Sequence, residues 1–236
     1  MLTNQSVVTS GFSLSRLFRF ATVILGDDSS FYYLAMLYGV GISVLFLAVG
    51  LTVFGLGEAL LINAALGVSP WTVFAQGLSR VTDWSIGWST FVISLGVLVA
   101  WLPLRQTPGI GTVLNAVIIS LTLEYSLPYI PSPESFILQF VQVAVGVLVV
   151  GIGSAIYLIA NLGPGPRDGL MTGLQRVTDF PIGWVRSGIE ISVVAVGWSL
   201  GGVVGIGTLM FAFLIGPLVS ASLYAFQRCF EHKTVD

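Results

Sequence analysis

Polar residues are rare along this chain, and their placement divides it into long apolar runs. Residues 36–66 contain one charge, Glu58; residues 139–162 contain none; residues 189–226 contain only Glu190. About 20 apolar residues in helical form cross the hydrocarbon core of a bilayer, so these runs read as membrane spans. The pattern predicts long helices over 33–65 and 136–161, second spans over 86–104 and 182–200, and last spans over 111–129 and 207–226. Between the first and second span of each set, a Gly/Pro turn leads into a short helix, over 70–81 and 166–177. At about 1.5 Å of rise per residue, such a helix reaches only ~18 Å against a core of ~30 Å. It therefore either dips into the membrane and returns or lies at the interface. Pro70 and Pro166 fall in the first turn of the short helices, where a missing N–H removes no intrahelical bond.

The two sets share their wording. LGVSPWTVFAQGLSRVTDWSIGW from Leu66 and LGPGPRDGLMTGLQRVTDFPIGW from Leu162 align without a gap, 96 positions apart. Leu66, Gly67, Pro70, Gly77 and Leu78 recur as Leu162, Gly163, Pro166, Gly173 and Leu174. Arg80, Val81, Thr82 and Asp83 recur as Arg176, Val177, Thr178 and Asp179, and the register persists to GIGT at Gly109 and Gly205. Self-similarity at a fixed offset over this length marks two structural halves. The expected organisation is an N-terminal cytoplasmic or interfacial segment (1–32), a first transmembrane repeat (33–130), a second (131–227) and a C-terminal cytoplasmic tail (228–236). Within the first segment, residues 11–26 set Arg16 and Arg19 among Leu14, Leu17, Phe18, Phe20 and Ile24. That pattern suits a helix lying in the membrane interface, the alternative being an unstructured tail; it lacks the cleavage site of a removable signal peptide.

Composition agrees with the pattern. The chain is 55% hydrophobic and 8% charged, with a mean hydropathy of +0.95, whereas soluble domains carry roughly a quarter charged residues. Three crossings per half is an odd number, so the halves face opposite ways. Lys and Arg concentrate in cytoplasmic loops. With the N-terminus inside, Arg16, Arg19, Arg105, Arg167, Arg176, Arg228 and Lys233 fall on the cytoplasmic side and Arg80 alone outside. If the short helices crossed, the halves would be parallel and Arg105 and Arg167 external. The expected fold is therefore an all-α membrane protein built as an inverted repeat. It has about six transmembrane helices plus two short re-entrant or interfacial ones, with both termini cytoplasmic.

This arrangement points to where chemistry would sit. A helix N-terminus presents unpaired N–H groups and a partial positive charge. Irregular backbone at membrane depth survives only where protein or a watery cavity satisfies it. Short helices starting at Ser69-Pro70 and Gly165-Pro166 would aim their N-termini into a shared cavity, with Trp71, Thr72, Arg167 and Asp168 on their first turns. Thr112 and Thr208 are placed to cap the spans that GIGT opens, its glycines serving either close approach to a solute or tight helix packing. A strongly polar small solute, an anion among the candidates, suits such a cavity.

Ionisable groups inside spans are functional candidates by default. Arg186 and Glu190 stand where the first half has Thr90 and Ser94, four apart on one helical face and able to pair. Glu190 reads as a solute contact or proton-coupling carboxylate, or else as half of a structural ion pair; Glu58, opposite Ser154, carries the same alternatives. Asp168 fits either a function or simple complementarity with its helix dipole. Arg80, Arg176, Asp83 and Asp179 occur in both halves and read as interfacial anchors, and Asn115 and Asn161 as helix-linking groups.

In the LG-x-x-P-x-x-x-x-x-x-GL pattern (66–78 and 162–174), the GIGT pair and PLRQTPGIGT from Pro103, the chain resembles the YczE/YyaS/YitT family of bacterial membrane proteins. The resemblance runs over residues 36–223 and implies membrane location and repeat architecture more than an activity. Members of that family typically show Trp-Asp after the proline. Here one half has Trp71-Thr72 and the other Arg167-Asp168, so each keeps one element of the pair.

The leading expectation is a small secondary transporter or permease. The rival is a scaffold that assists a membrane partner protein, and a second copy of the chain is a further conceivable partner beside the lipid bilayer itself. An enzyme is not expected: there is no HExxH, no G-x-S-x-G and no Walker sequence. Cys229 and His232 are the only residues of their kinds and lie near the C-terminus, so neither a metal centre nor another cofactor is expected. With a net charge of -2 and no basic run, nucleic acid is not an expected partner.

Overall fold

The computed structural model of the chain describes residues 30–231. The amphipathic segment expected over 11–26, His232 and Lys233 lie outside the described residues. Among those described, the elements are all helical: α1 (Ser30–Ala64), α2 (Pro70–Thr82), α3 (Ile86–Ala100), α4 (Ile110–Ser126) with a 3-10 turn (Leu127–Tyr129), α5 (Phe136–Ile159), α6 (Pro166–Thr178), α7 (Ile182–Ser199) and α8 (Ile206–Glu231). Each short helix thus has the position and length that the sequence predicts. Asp83 and Asp179 end the two short helices in matching left-handed conformations (φ 57° and 54°). The helix α8 runs on through residues 228–231, into the stretch expected to be tail.

Four stretches are long and apolar enough to cross a membrane on their own: Gly41–Ala64, Ile110–Tyr129, Phe136–Ile159 and Ile206–Phe226. A fifth crossing arises if α2 and α3, bent by 112° at their junction, count as one broken span. The difference from the six expected has two causes. The helix α3 ends at Ala100, where residues 101–105 turn, so it is shorter than the predicted 86–104. The helix α7 is long enough but carries Arg186 and Glu190 among its apolar residues.

The centre is an antiparallel crossing of α1 and α5. Gly50 lies against the backbone of Gly153 and Tyr157, and Gly57 against that of Gly146 and Val150. Gly50 and Gly57 precede Gly146 and Gly153 by the same 96 positions that relate the two sequence halves. In lipid, helix association depends on close packing more than on burial from water, and small residues let two backbones meet. A methyl group on Gly50 or Gly153 would run into the facing main chain.

Around this pair, α4 packs on α1 and α8 on α5, while α2 packs on α7 and α6 on α3. Each short helix therefore packs on the third helix of the other half as well as on that of its own. The contacts are not fully matched, because α3 also packs along α4 whereas α7 makes no comparable contact with α8. One apolar cluster fills the space between α1, α5 and α8 (Leu61, Val143, Val147, Val150, Phe211) and another joins α1, α4 and α5 (Leu47, Leu51, Ile119, Leu123). A third surrounds Trp71 and Trp101. The exterior is apolar too, with Leu45, Val99, Ile137, Phe213 and Trp198 exposed, as a lipid-facing surface requires.

The turns before the short helices are held by the other half. The Gly207 N–H donates to Leu66 O at 2.8 Å, and the Gly111 N–H to Leu162 O at 2.9 Å. Gly67 and Gly163 take φ of 105° and 122° there, a region that only glycine enters at little cost. Thr112 and Thr208 act from the third helical position: their hydroxyls accept the N–H of Gly109 (3.1 Å) and Gly205 (3.3 Å).

Gly153→Ala should lower the melting temperature of the protein in detergent, by overpacking worth about 1–3 kcal/mol. Gly96→Ala and Gly188→Ala, where nothing lies within 4 Å of the added carbon, should hold or raise it, since helical Ala is favoured by about 0.5–1 kcal/mol.

Candidate functional site

The first turns of α2 and α6 meet. The Arg167 guanidinium stacks on the Trp71 ring, 5.3 Å from its centroid, and these two residues occupy equivalent positions of the repeated sequence. The stack joins the helix starts because Ser69 and Gly165 carry nearly the same backbone angles (φ -58° and -59°) and deliver Pro70 and Pro166 into matching first turns.

Glu58 comes up from α1 to the start of α2. It is buried, at 1% exposure. Its Oε2 accepts the Thr72 hydroxyl at 2.7 Å and the Ser69 hydroxyl at 2.9 Å, and these two hydroxyls lie 3.0 Å apart. Its Oε1 is enclosed and has no hydrogen-bond partner. A carboxylate at a helix N-terminus gains from the dipole, but burial of a charge is costly without full pairing. Arg167 acts on Glu58 electrostatically without closing to ion-pair distance.

On the other side, α5 contributes Tyr157, whose phenol donates to Asp168 Oδ2 at 3.2 Å. Trp101 from the end of α3 donates its indole N–H to Pro166 O at 2.9 Å, fixing the start of α6, and its ring lies against Gly169. The amide of Asn115 sits beside Gly165. The Trp71 indole N–H is also buried without a partner. Arg167 is half-buried and donates no hydrogen bond among the described residues.

The structure thus brings Ser69, Pro70, Trp71, Thr72, Gly165, Arg167 and Asp168 together with Glu58. It places the other predicted residues elsewhere. The Thr112 hydroxyl donates to Pro164 O at 2.7 Å and Thr208 packs against Gly67, so both serve the turns. Arg186 and Glu190 form an ion pair of 2.9 Å on α7, with side chains 49% and 22% exposed, close enough for both charges to act on Asp168. Arg176 donates to Leu104 O at 2.7 Å, and Arg80 lies against Gly201, the equivalent place in the other half. Among the described residues, no group of three or more His, Cys, Asp or Glu could hold a metal ion.

Tyr157 and Trp101 were not singled out by sequence reading. Tyr157 could have been, since it is the lone phenol in the uncharged run 139–162. Trp101 gave no signal, because a tryptophan at a span end usually marks the membrane interface.

Comparison with known proteins places this architecture in a family. Residues 41–223 match the profile described as a family of unknown function, DUF6198. The chain is 42% identical over 187 residues to an uncharacterized protein of Haemophilus influenzae, covering 79% of this chain and 85% of that one. It is 34% identical over 176 residues to the uncharacterized membrane protein YczE of Bacillus subtilis, covering 74% and 82%. It is 24% identical over 202 residues to the uncharacterized protein YyaS of the same organism, covering 84% and 96%. No solved structure matches.

Glu58→Ala should strand the buried Ser69 and Thr72 hydroxyls and lower stability by about 1–3 kcal/mol. Glu58→Gln, which keeps an acceptor oxygen, should lose distinctly less. Thermal unfolding in detergent, followed by tryptophan fluorescence, separates the two.

Proposed function

The chain belongs to the DUF6198 family of unknown function, and from its geometry we propose that it is a multi-pass protein of the bacterial inner membrane acting as a small secondary transporter or permease. The observation that carries this reading is the meeting of two short helices, first turn to first turn, at charged groups left incompletely paired. Interrupted helices that meet deep in the protein are a recurring plan among secondary transporters, where they form the solute site. An enclosed carboxylate oxygen, an indole N–H and a guanidinium without acceptors are costly as pure scaffolding. They make sense as groups that a polar solute or a proton completes.

The inverted six-span arrangement belongs to the same reading. It is supported by contacts that repeat at an offset of 96 positions, namely the Gly207–Leu66 and Gly111–Leu162 bonds and the paired glycines of α1 and α5. Under it, α3 and α7 are the second spans and α2 and α6 are re-entrant. Arg167 then sits at a midplane site, leaving Arg105 and Arg176 as the cytoplasmic loop charges that oppose Arg80. The packing of α3 along α4, without a comparable contact of α7 with α8, is the kind of asymmetry expected of a carrier resting in one of two states. Glu58 is the leading candidate for proton coupling, because it is enclosed; Glu190, on the more open α7, is placed to receive solute on entry. No catalytic step is part of this reading.

Purified protein in liposomes should move small polar solutes down an imposed ion gradient, and Glu58→Gln should cut that flux at least about tenfold, the equivalent of ~1.4 kcal/mol. Absence of flux for every solute tried, together with stable co-purification of a membrane protein, would turn the assignment to a scaffold. In a Cys229→Ser background, Arg80→Cys should label from outside the cell and Arg105→Cys only after permeabilisation. External labelling of Arg105→Cys overturns the inverted arrangement.

A further inference from the structure

The charges at the helix junction form a recognisable complement. Arg167 and Asp168 are adjacent on the first turn of α6, yet they do not form an ion pair with each other. The guanidinium rests on the face of Trp71, which fixes its plane while leaving its N–H donors without acceptors. Asp168 gives one carboxylate oxygen to Tyr157, and no hydrogen bond engages the other. A cationic and an anionic group thus share the first turn of α6, each held by an aromatic residue of another helix.

The remaining partners narrow the occupant. Trp71, 6% exposed, offers an indole N–H with no acceptor, and buried Glu58 has an oxygen with no donor. With Arg167 and Asp168 on one turn, a simple anion drawn to the guanidinium would meet the Asp168 carboxylate. A simple cation would meet the unpaired guanidinium. A neutral polar molecule would leave both charges poorly matched, because hydrogen bonds between charged groups are roughly twice as strong as neutral ones. A molecule with separated positive and negative ends satisfies Arg167 and Asp168 together and adds no net charge.

We infer that the solute is a small zwitterion of the amino-carboxylic class, its carboxylate bound by Arg167 over Trp71 and its ammonium by Asp168. The planar guanidinium can engage a carboxylate through two parallel N–H bonds. The Arg186–Glu190 pair on α7, whose charges act electrostatically on Asp168, is a second plus-minus couple, more exposed than the first and suited to orienting such a dipole on entry. This inference rests on the carrier reading for its role but concerns binding alone, so the two can fail separately.

The test is binding to purified protein in detergent, followed by thermal stabilisation and by tryptophan fluorescence. The probes are glycine, β-alanine, 4-aminobutyrate and glycine betaine, against acetate and methylammonium at equal concentration. At least one probe with a free ammonium should bind about tenfold or more tightly than either acetate or methylammonium, a gap of ~1.4 kcal/mol. Arg167→Gln should erase the preference over methylammonium and Asp168→Asn the preference over acetate. These selectivity ratios are readable in any variant that still melts cooperatively, and Gly96→Ala, which adds a methyl group where nothing lies within 4 Å, should keep both preferences. Equal or tighter binding of acetate, or no binding by any of the four zwitterions, overturns the inference. Zwitterion binding without flux in liposomes would uphold it and remove the carrier reading; flux of another solute without zwitterion binding would do the reverse.

Discussion

Everything in this protein depends on how the broken backbone before each short helix finds hydrogen-bond partners. In hydrocarbon an unsatisfied carbonyl costs several kcal/mol, and no water is at hand to relieve it. Leu66 O and Leu162 O, exposed where the helices break, are each taken by a glycine N–H from the start of the last helix of the other half. The positive φ of Gly67 and Gly163 turns the carbonyls toward those donors. Thr112 and Thr208 close the donor turns, Thr112 also reaching Pro164 O. The breaks are thereby satisfied by protein, as the re-entrant placement proposed for the short helices requires.

What lies at those starts follows from the same constraint. Two helix N-termini facing each other would repel through their partial positive charges, and the chain places carboxylates against them. Glu58 reaches α2 through Ser69 and Thr72, and Asp168 lies within the first turn of α6 and is held by Tyr157. Arg167 between them is carried on an aromatic face, where a guanidinium sheds little of its stabilisation. Arg167 is close enough to act electrostatically with both carboxylates without locking into a direct ion pair with either. Closed ion pairs would be a rigid staple; open ones leave room for exchange of partners.

The two halves are alike in path and unlike in chemistry. Trp71 and Arg167 share a position, as do Thr72 and Asp168, and Glu58 faces the place that Ser154 holds in the other half. Ser154 merely donates to Val150 O in its own helix. A junction built from two identical turns would set like against like; divergence allows an arginine to stack on a tryptophan. The packing is unequal as well, since α3 leans on α4 while α7 makes no comparable contact with α8.

Much of the fold was legible in the sequence. The starts of both short helices follow from proline, glycine and apolar spacing, which act locally, whereas the left-handed ends at Asp83 and Asp179 and the bonding of GIGT to the LG-x-x-P turns emerged only in the structure. The presence of a second copy of the pattern was equally plain, because identity at a fixed offset needs no coordinates. The site was legible only in part. That Ser69, Trp71, Thr72, Arg167 and Asp168 would gather could be argued from helix ends, but Glu58 and Glu190 read alike along the chain. Only packing separated them, setting the first against two hydroxyls in the interior and the second in an ion pair on the open face of α7. Tyr157 and Trp101 joined the site unannounced, since the partner of a phenol or indole inside an apolar run is chosen by which helix crosses it. Sequence alone determined which segments turn, break and repeat, these being properties of neighbouring residues. Tertiary structure decided which charges meet, because that depends on contacts between groups up to more than a hundred positions apart that no local pattern encodes.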